Sequence, residues 1–393
     1  MRKALGEGVR LIIERLNSYG RRADVVGGCV RDFLLKKKPY DFDITTDATP
    51  EEMKEIFCDM KTLDIGIKHG TLTVFFDNIP YEITTYRVES EYADHRHPTS
   101  VSFSRNLIDD LSRRDFTMNA ICYNENDGFT DAFSGIEDIK NKIIRAVGNP
   151  YDRFDEDALR IMRALRFSAT LGFTIEENTA SALIEKAHLL SYISKERILA
   201  EWRKLIAGKY AYDVIYAFPT IISLILGIDN KLCLMDKESF NSLPWELREI
   251  SIHLNGENPT GSFIRFAERL GIEKRMKRLG EELLSSPFRE MPSIVDIRFS
   301  FSEIGIENTI KKLTLYSAYN GCAITSDEWE MIERVKSLPY KISHLDIDGN
   351  DIISLGASGG AVGKWLNILL TLVIKGDIEN KKNILINYIK SNL

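Results

Sequence analysis

Val25–Asp43 reads VVGGCVRDFLLKKKPYDFD, and the rest of the chain is read outward from it. The β-branched pair Val25-Val26 meets Gly27 and Gly28, a helix-like segment carrying Arg31 follows, and Asp41 and Asp43 stand one residue apart. Alternate residues of a strand share a face, so both carboxylates are expected to look the same way. Two anionic oxygen ligands suit Mg²⁺, which keeps waters and completes its shell with substrate phosphates. The glycines let backbone N–H groups approach an anion at a helix N-terminus, and Arg31 adds a fork for phosphate oxygens. Together these parts describe a nucleoside-triphosphate site for metal-assisted phosphoryl or nucleotidyl transfer. GGCVRD has neither the dinucleotide-binding glycine spacing nor the Gly-Lys-Ser/Thr ending of a phosphate loop. The order and spacing of the whole set therefore carry the reading.

Composition sets the frame. A chain of 393 residues can bury several cores, and 44% apolar with 28% charged residues is ordinary globular usage. No apolar run reaches the roughly 18 to 20 residues of a membrane span. The N-terminal MRKALGEGVRLIIERL reads as an amphipathic helix whose charges interrupt any signal-peptide core. Five scattered cysteines without a Cys-x-x-Cys pair point to reduced thiols in a cytoplasmic protein and away from structural zinc. A net charge of −6 does not advertise nucleic-acid binding, although a local basic face suffices for it.

Residues 1 to about 150 read as mixed α/β. Strand-like runs fall at Asp41–Thr45, Gly70–Phe76, Tyr81–Arg87, Val101–Phe103 and Ile121–Tyr123. Residues 50–60 read as a helix with Thr49 as N-cap and Glu51-Glu52 in its first turn. From about Asp155 onward, helical apolar spacing dominates, as in Ala158–Leu171, Glu177–Leu189, Lys195–Ala207 and Ser262–Leu270.

Further motifs carry chemistry. Tyr81–Arg87 puts Glu82 on one strand face with Thr84 and Tyr86, where it could join Asp41 and Asp43 as a third acidic group. His95 and His97 in YADHRHP lack further metal ligands and read as a surface loop. In DLSRRDFTMNA, Arg114 is a candidate triphosphate contact, with Asp115 and Asn119 bracing the site. FDEDALRIMRALRF places Glu156, Asp157, Arg160, Arg163 and Arg166 at helical spacing. Arginines three apart drift about 60° per step, so they wind round a helix, and Arg166 would lie opposite Asp157. Asp157 can accept from the amino group of cytosine or adenine while Arg160 donates to the ring nitrogen. Uracil and guanine present the reverse order, so the pair would admit CTP and ATP and reject UTP and GTP.

The ordered set GGCVRD, DFD, RRDFTMNA and EDALRIMRALRF resembles the bacterial class II tRNA nucleotidyltransferase and poly(A) polymerase family, the CCA-adding enzymes. The resemblance implies an α/β head built like the palm of the DNA polymerase beta superfamily, followed by an all-α neck, body and tail. The expected boundaries are 1–150, 151–215, 216–300 and 301–393. It further implies Mg²⁺ on Asp41 and Asp43, triphosphate contacts from Gly28, Arg31 and Arg114, and a base template formed by Asp157 and Arg160 with Arg163 and Arg166; Gly27 and Asn119 complete the candidate nucleotide-binding set. The expected partner is tRNA, through its acceptor stem and 3′ end, with CTP and ATP as substrates and no membrane or protein partner. Lys274, Arg275, Lys277 and Arg278 form one candidate RNA surface, although such a basic run reads first as a solvated helix face. The closing LGASGG turn is shorter than the family's commoner tail, and no His-Asp phosphohydrolase motif is appended.

The implied reaction is stepwise addition of C, C and A to tRNA. Addition of A only, of CC only, or of a poly(A) tail are alternatives within the family; the polar segment at 87–98 argues against CC-only. A catalytically inactive RNA-binding module is a distant alternative, opposed by the intact Asp41, Asp43 and template pair.

Overall fold

The computed structural model describes residues 1, 5–39, 41–89, 101–228, 232, 234–288 and 290–392. The chain forms two compact units, residues 1–225 and 226–393. The His95 and His97 segment lies outside the described residues.

In the first unit, α1 (Glu7–Ser18) leads into a sheet, and its apolar stripe Val9, Ile12, Ile13 and Leu16 is buried. Strands β1 (Ala23–Val26), β2 (Asp43–Thr46), β3 (Thr62–Leu63), β4 (Thr71–Phe76), β5 (Ile79–Thr85), β8 (Cys122–Asn124) and β9 (Gly128–Thr130) pair in the order β3-β4-β5-β2-β1-β8-β9. β6 (Arg87–Glu89) and β7 (Val101–Phe103) form a separate hairpin-like pair. β2 runs parallel to β5 and antiparallel to β1, so the sheet is mixed. One face takes Ile44, Ile83, Leu72 and Val74 into the core. The opposite face joins Val26 and Cys122 to Tyr86, Leu107, Leu111 and Ala120. Asp24 is buried on that face, held by Tyr86 Oη at 2.8 Å and by the Arg22 guanidinium.

Helices α2 (Gly28–Leu34), α3 (Pro50–Ile56), α4 (Leu107–Ser112) and α5 (Gly135–Asn141) frame the sheet. Thr49 caps α3 as expected, and Glu52 answers it to complete a capping box. A minor parallel pair, β10 (Ile143–Ile144) with β11 (Thr174–Ile175), ties the sheet's end to the helices that follow. These are α6 (Pro150–Glu156), α7 (Leu159–Leu171), α8 (Glu177–Glu185), α9 (Lys195–Ile206), α10 (Ala211–Ala217) and α11 (Pro219–Leu226).

The second unit is helical: α12 (Lys237–Ser242), α13 (Trp245–Ser251), α14 (Pro259–Leu270), α15 (Lys274–Leu284), α16 (Ile294–Asn320, kinked at Gly305), α17 (Ser326–Val335), α18 (Gly349–Ser354), α19 (Gly360–Lys375) and α20 (Lys382–Asn392). Two of its cores are centred on Ile297, Phe301 and Leu313, and on Ile352, Leu369 and Leu385. Buried Arg298 donates to the carbonyls of Pro339 and Ile374, satisfying backbone acceptors past α17 and in the last turn of α19. Among the described residues no helix is long and apolar enough to cross a membrane.

Two expectations about the elements need correction. Asp41 does not lie on the strand: β2 starts at Asp43, whose partner Val26 is the last residue of β1. Beyond Val26 the chain turns away at Gly27, leaving residues 41–42 without a ladder neighbour. The helix expected over 154–167 is two helices, α6 and α7, broken at Asp157, whose backbone is extended (φ −137°, ψ 101°).

Gly135 shows how tightly the elements beneath the site are fitted. A Cβ built there would stand 2.1 Å from the Thr117 carbonyl oxygen and 2.9 Å from Ile121 Cγ1. Gly135→Ala is therefore expected to destabilise the first unit by roughly 1–3 kcal/mol through overpacking, read as a lowered midpoint in urea or thermal unfolding; an unchanged midpoint would refute it.

Candidate active site

The site forms where β1 ends. Gly27 has φ 78° and ψ −129° and N-caps α2, and its own N–H is bonded to the Ile121 carbonyl at 3.1 Å. A Cβ at this position would meet Arg114 Nη1 at 3.1 Å, the Asn119 carbonyl at 3.8 Å and Asp43 Oδ2 at 4.0 Å. One turn thus gathers the helix start, the Arg114 fork and the Asp43 carboxylate. Gly28 is the first residue of α2, and a Cβ there would meet only Arg31 Nη2, at 3.7 Å.

Asp43 heads β2, and Asp41 stands two residues before it. Desolvation raises the Asp43 carboxyl above its usual range; Asp41's like charge adds to this while the Arg114 charge opposes it. A cation placed there would relieve that repulsion, and carboxylate oxygens are the donors a hard divalent ion takes. No group of three or more His, Cys, Asp and Glu among the described residues makes a metal site by itself. The fit is thus to an ion that fills its shell with water and substrate oxygens. Glu82 lies on β5, one step back from the Ile44–Ile83 pairing and so on Asp43's side of the sheet, and is exposed. It does not close a three-carboxylate cluster with Asp41 and Asp43.

The arginines are held by a buried network. Arg114 Nη2 donates to Asp110 at 3.2 Å, while its Nε is buried without a partner. Asp110 is fully buried, also takes Arg113, and accepts from Thr45 of β2 at 3.2 Å. Arg31 donates to Asn119 Oδ1 at 2.8 Å, and Asn119 Nδ2 donates to Asp115 at 3.0 Å. Asp115 accepts from Arg163 Nε at 2.7 Å and from the Phe116 N–H at 2.8 Å. Burial alone would raise the Asp115 carboxyl, but the Arg163 charge and these hydrogen bonds outweigh it and hold it down to about 2. The ring of Phe167 lies under three guanidiniums, with Arg166 at 3.7 Å, Arg31 at 5.0 Å and Arg163 at 5.4 Å from its centre.

Asp157 and Arg160 are close in the chain but paired apart. Arg197 of α9 holds the Asp157 carboxylate at 2.9 Å, and its other oxygen caps the Leu159 N–H at 3.1 Å. Arg160 donates to Glu156 at 2.5 Å and to the carbonyls of Arg153 and Arg113, engaging three of its five donors. The break at Asp157 explains this: Arg160 finds its carboxylate partner one turn earlier, at Glu156. Arg160, Arg163 and Arg166 diverge as winding arginines should, to Glu156, Asp115 and Glu201 respectively.

Sequence reasoning passed over Asp110, Phe167, Arg197 and Glu201. The Asp110–Arg114 spacing of four was a usable signal for one of them. Arg197 and Glu201 lie 40 and 35 residues from their partners, where no local pattern reaches.

Residues 23–145 match the family described as the Poly A polymerase head domain, and residues 172–217 the one described as the probable RNA and SrmB-binding site of polymerase A. The CCA-adding enzyme of Geobacillus sp. (strain WCH70) is 39% identical over 97% of this chain and 94% of its own length. The chain belongs to the CCA-adding enzyme family. A CCA-adding enzyme of Staphylococcus saprophyticus, 34% identical, spans the whole of both chains. The crystal structure of the Bacillus stearothermophilus CCA-adding enzyme in complex with CTP superposes with a TM-score of 0.73 at 30% identity, covering 99% of this chain and 98% of that one. The Thermotoga maritima CCA-adding enzyme complexed with tRNA, 20% identical with a TM-score of 0.67, shares the fold. As a CCA-adding enzyme the chain is a tRNA nucleotidyltransferase, of a family that generally works with a divalent metal.

Two outcomes test the geometry. Gly27→Ala strains the backbone by about 1–2 kcal/mol and pushes on Arg114; the KM for nucleotide should rise by about 10-fold or more, and an unchanged KM would refute the crowding. Asp115 has a folded pKa of about 2, below its ordinary value near 3.9, so its stabilisation is present above that ordinary value and lost as pH falls through about 2. Wild type should lose on the order of 2 kcal/mol across that window, and Asp115→Asn should lack this component when unfolding free energy is followed from pH 5 to 2.

Proposed function

We propose that this chain adds C, C and A stepwise to the 3′ end of tRNA from CTP and ATP, releasing pyrophosphate, without a nucleic-acid template. The supporting observation is the convergence at Gly27 of a helix start, the Arg114 guanidinium and the Asp43 carboxylate. In this reading Arg31, Arg114 and the first turn of α2 receive the triphosphate, with Gly27 and Gly28 leaving room for its oxygens. Asn119 and Asp110 aim the two guanidiniums. The 3′-hydroxyl attacks the α-phosphate in line, and most of the rate comes from positioning and charge neutralisation. Asp41 and Asp43 would hold Mg²⁺, which when bound lowers the cost of the attacking alkoxide and the leaving pyrophosphate.

Asp157 and Arg160 read the base. Arg197 and Glu156 fix those two side chains at the α6/α7 junction, with three of the five Arg160 donors engaged. Arg163 and Arg166 act behind them, through Asp115 and Glu201, as positioning residues. We assign residues 1–150 as head, 151–215 as neck, 216–300 as body and 301–393 as tail, the body running across the boundary between the two compact units at 225/226. The helical parts would hold tRNA through phosphate contacts. In the candidate basic run, Lys277 and Arg278 are engaged by Glu268 and Glu282, which favours a solvated, salt-bridged face for those two. Free thiols at Cys29, Cys58, Cys122 and Cys322 fit a cytoplasmic setting.

Purified protein given Mg²⁺ and tRNAs ending before C, after CC and after CCA should extend the first by three nucleotides, the second by one and the third not at all. Extension of the first by A alone, by two C alone or by a long A tail would replace the reading with a partial or poly(A) activity. Asp41→Ala should abolish extension. Arg160→Ala should erode the preference of CTP and ATP over UTP and GTP by about 10- to 100-fold, the range expected for one buried polar pairing; an unaltered preference would remove Arg160 from base reading.

A further inference from the structure

The second unit contains a cavity of about 250 Å³ between the loop after α13, the end of α15 and the face of α16. Its walls include Asn255, Leu283, Phe288, Lys312, Tyr316 and Tyr319. Lys312 is the unusual member. It is only 7% exposed, and no ion-pair or hydrogen-bond partner is found for its ammonium among the described residues. The Nζ stands 4.6 Å from the centre of the Phe288 ring. Burial lowers its pKa, with the more distant Glu303 charge pulling the other way. The stem is buried while the Nζ is not closed off, so the ammonium is turned to the cavity that Lys312 lines. Tyr319 is anchored by its hydroxyl to Asn255 Oδ1 at 2.7 Å, so that ring has a fixed place on the rim.

Several aromatic rings and aliphatic walls around a single cationic group are a poor match for a phosphate, which is held by several charged or backbone donors. They are a good match for a flat heterocycle with a carbonyl or ring nitrogen on its edge. Single-stranded bases are bound this way, stacked on aromatic side chains and hydrogen-bonded at the edge. The volume accommodates one such base. We propose that this cavity takes the base of one unpaired nucleotide of the tRNA substrate, stacked against the Tyr316, Tyr319 and Phe288 rings with Lys312 Nζ donating to its edge. This rests on the chain's reading as a tRNA-extending enzyme, and it adds recognition of an unstacked nucleotide to the phosphate contacts of the helical parts. The nucleotide would lie in a loop of the folded tRNA, since a paired base cannot present its face.

The test compares full-length protein with Lys312→Met and Tyr316→Leu. Binding is measured by fluorescence anisotropy with two probes: intact tRNA lacking CCA, and an acceptor-arm duplex annealed from two strands without a loop. Each variant should weaken intact tRNA by roughly 10-fold or more, as expected for loss of a stacked base, and leave the duplex unchanged. Lys312→Met should also melt no lower than wild type, because methionine keeps the buried apolar stem; kcat at saturating tRNA should stay as it is. Unchanged affinity for intact tRNA, equal weakening toward both probes, or a fall in melting temperature of Lys312→Met would each overturn the proposal. If wild type itself fails to extend tRNA, the reading of the active site falls instead, so the two failures are distinct.

Discussion

Asp115 accepts hydrogen bonds from its neighbour's N–H, from Asn119 and from Arg163, and it does so while buried. Much of the polar frame of the candidate site is tied to it or to the residue beside it. Asn119 carries the link on to Arg31, and Arg163 carries it to α7 and the Phe167 ring. Arg114, the preceding residue, is fixed by Asp110 to Thr45 of the carboxylate-bearing strand. Burying such charges is unfavourable unless nearly every donor and acceptor is used, and here that condition is almost met. The sheet and the helix that follows it are joined through polar contacts whose geometry is sharper than that of apolar packing.

The same network accounts for what the sequence could and could not disclose. Local signals translated directly: the Thr49 cap, the helices from Glu177 and Lys195, and a strand at Val101–Phe103 all stand where their patterns put them. The strand order was not readable, because β2 finds β5 and β1 finds β8 across intervening elements and nothing in either run names its partner. Asp41 and Asp43 looked like strand neighbours because alternation extends beyond the last available partner. The segment around Asp157 looked like one helix because its apolar spacing continues across the break, while the capping role of Asp157 shows only in three dimensions. Lys312 drew no notice, since a lysine in a helix reads as solvated until packing surrounds it.

Charge distribution adds a second theme. The chain is net negative at −6, yet guanidiniums crowd one aromatic ring beside the site. Mutual repulsion among them is softened by the ring's electron-rich face and by Asp115 and Glu201. A polyanionic substrate approaching that spot meets a local field opposite in sign to the molecule as a whole. Net charge is therefore a poor guide to what such a protein binds.

Gly27 carries a consequence for how this chain can drift. Its backbone lies where only a residue without Cβ is at ease, and the space a Cβ would take is already walled by Arg114, Asn119 and Asp43. Every possible amino-acid replacement brings that atom, whatever its polarity or size. No gradual series of conservative exchanges leads away from this glycine, and second-site compensation would have to move a guanidinium, a carbonyl and a carboxylate together. The position is closed to neutral change by geometry, independent of how strongly the activity is needed.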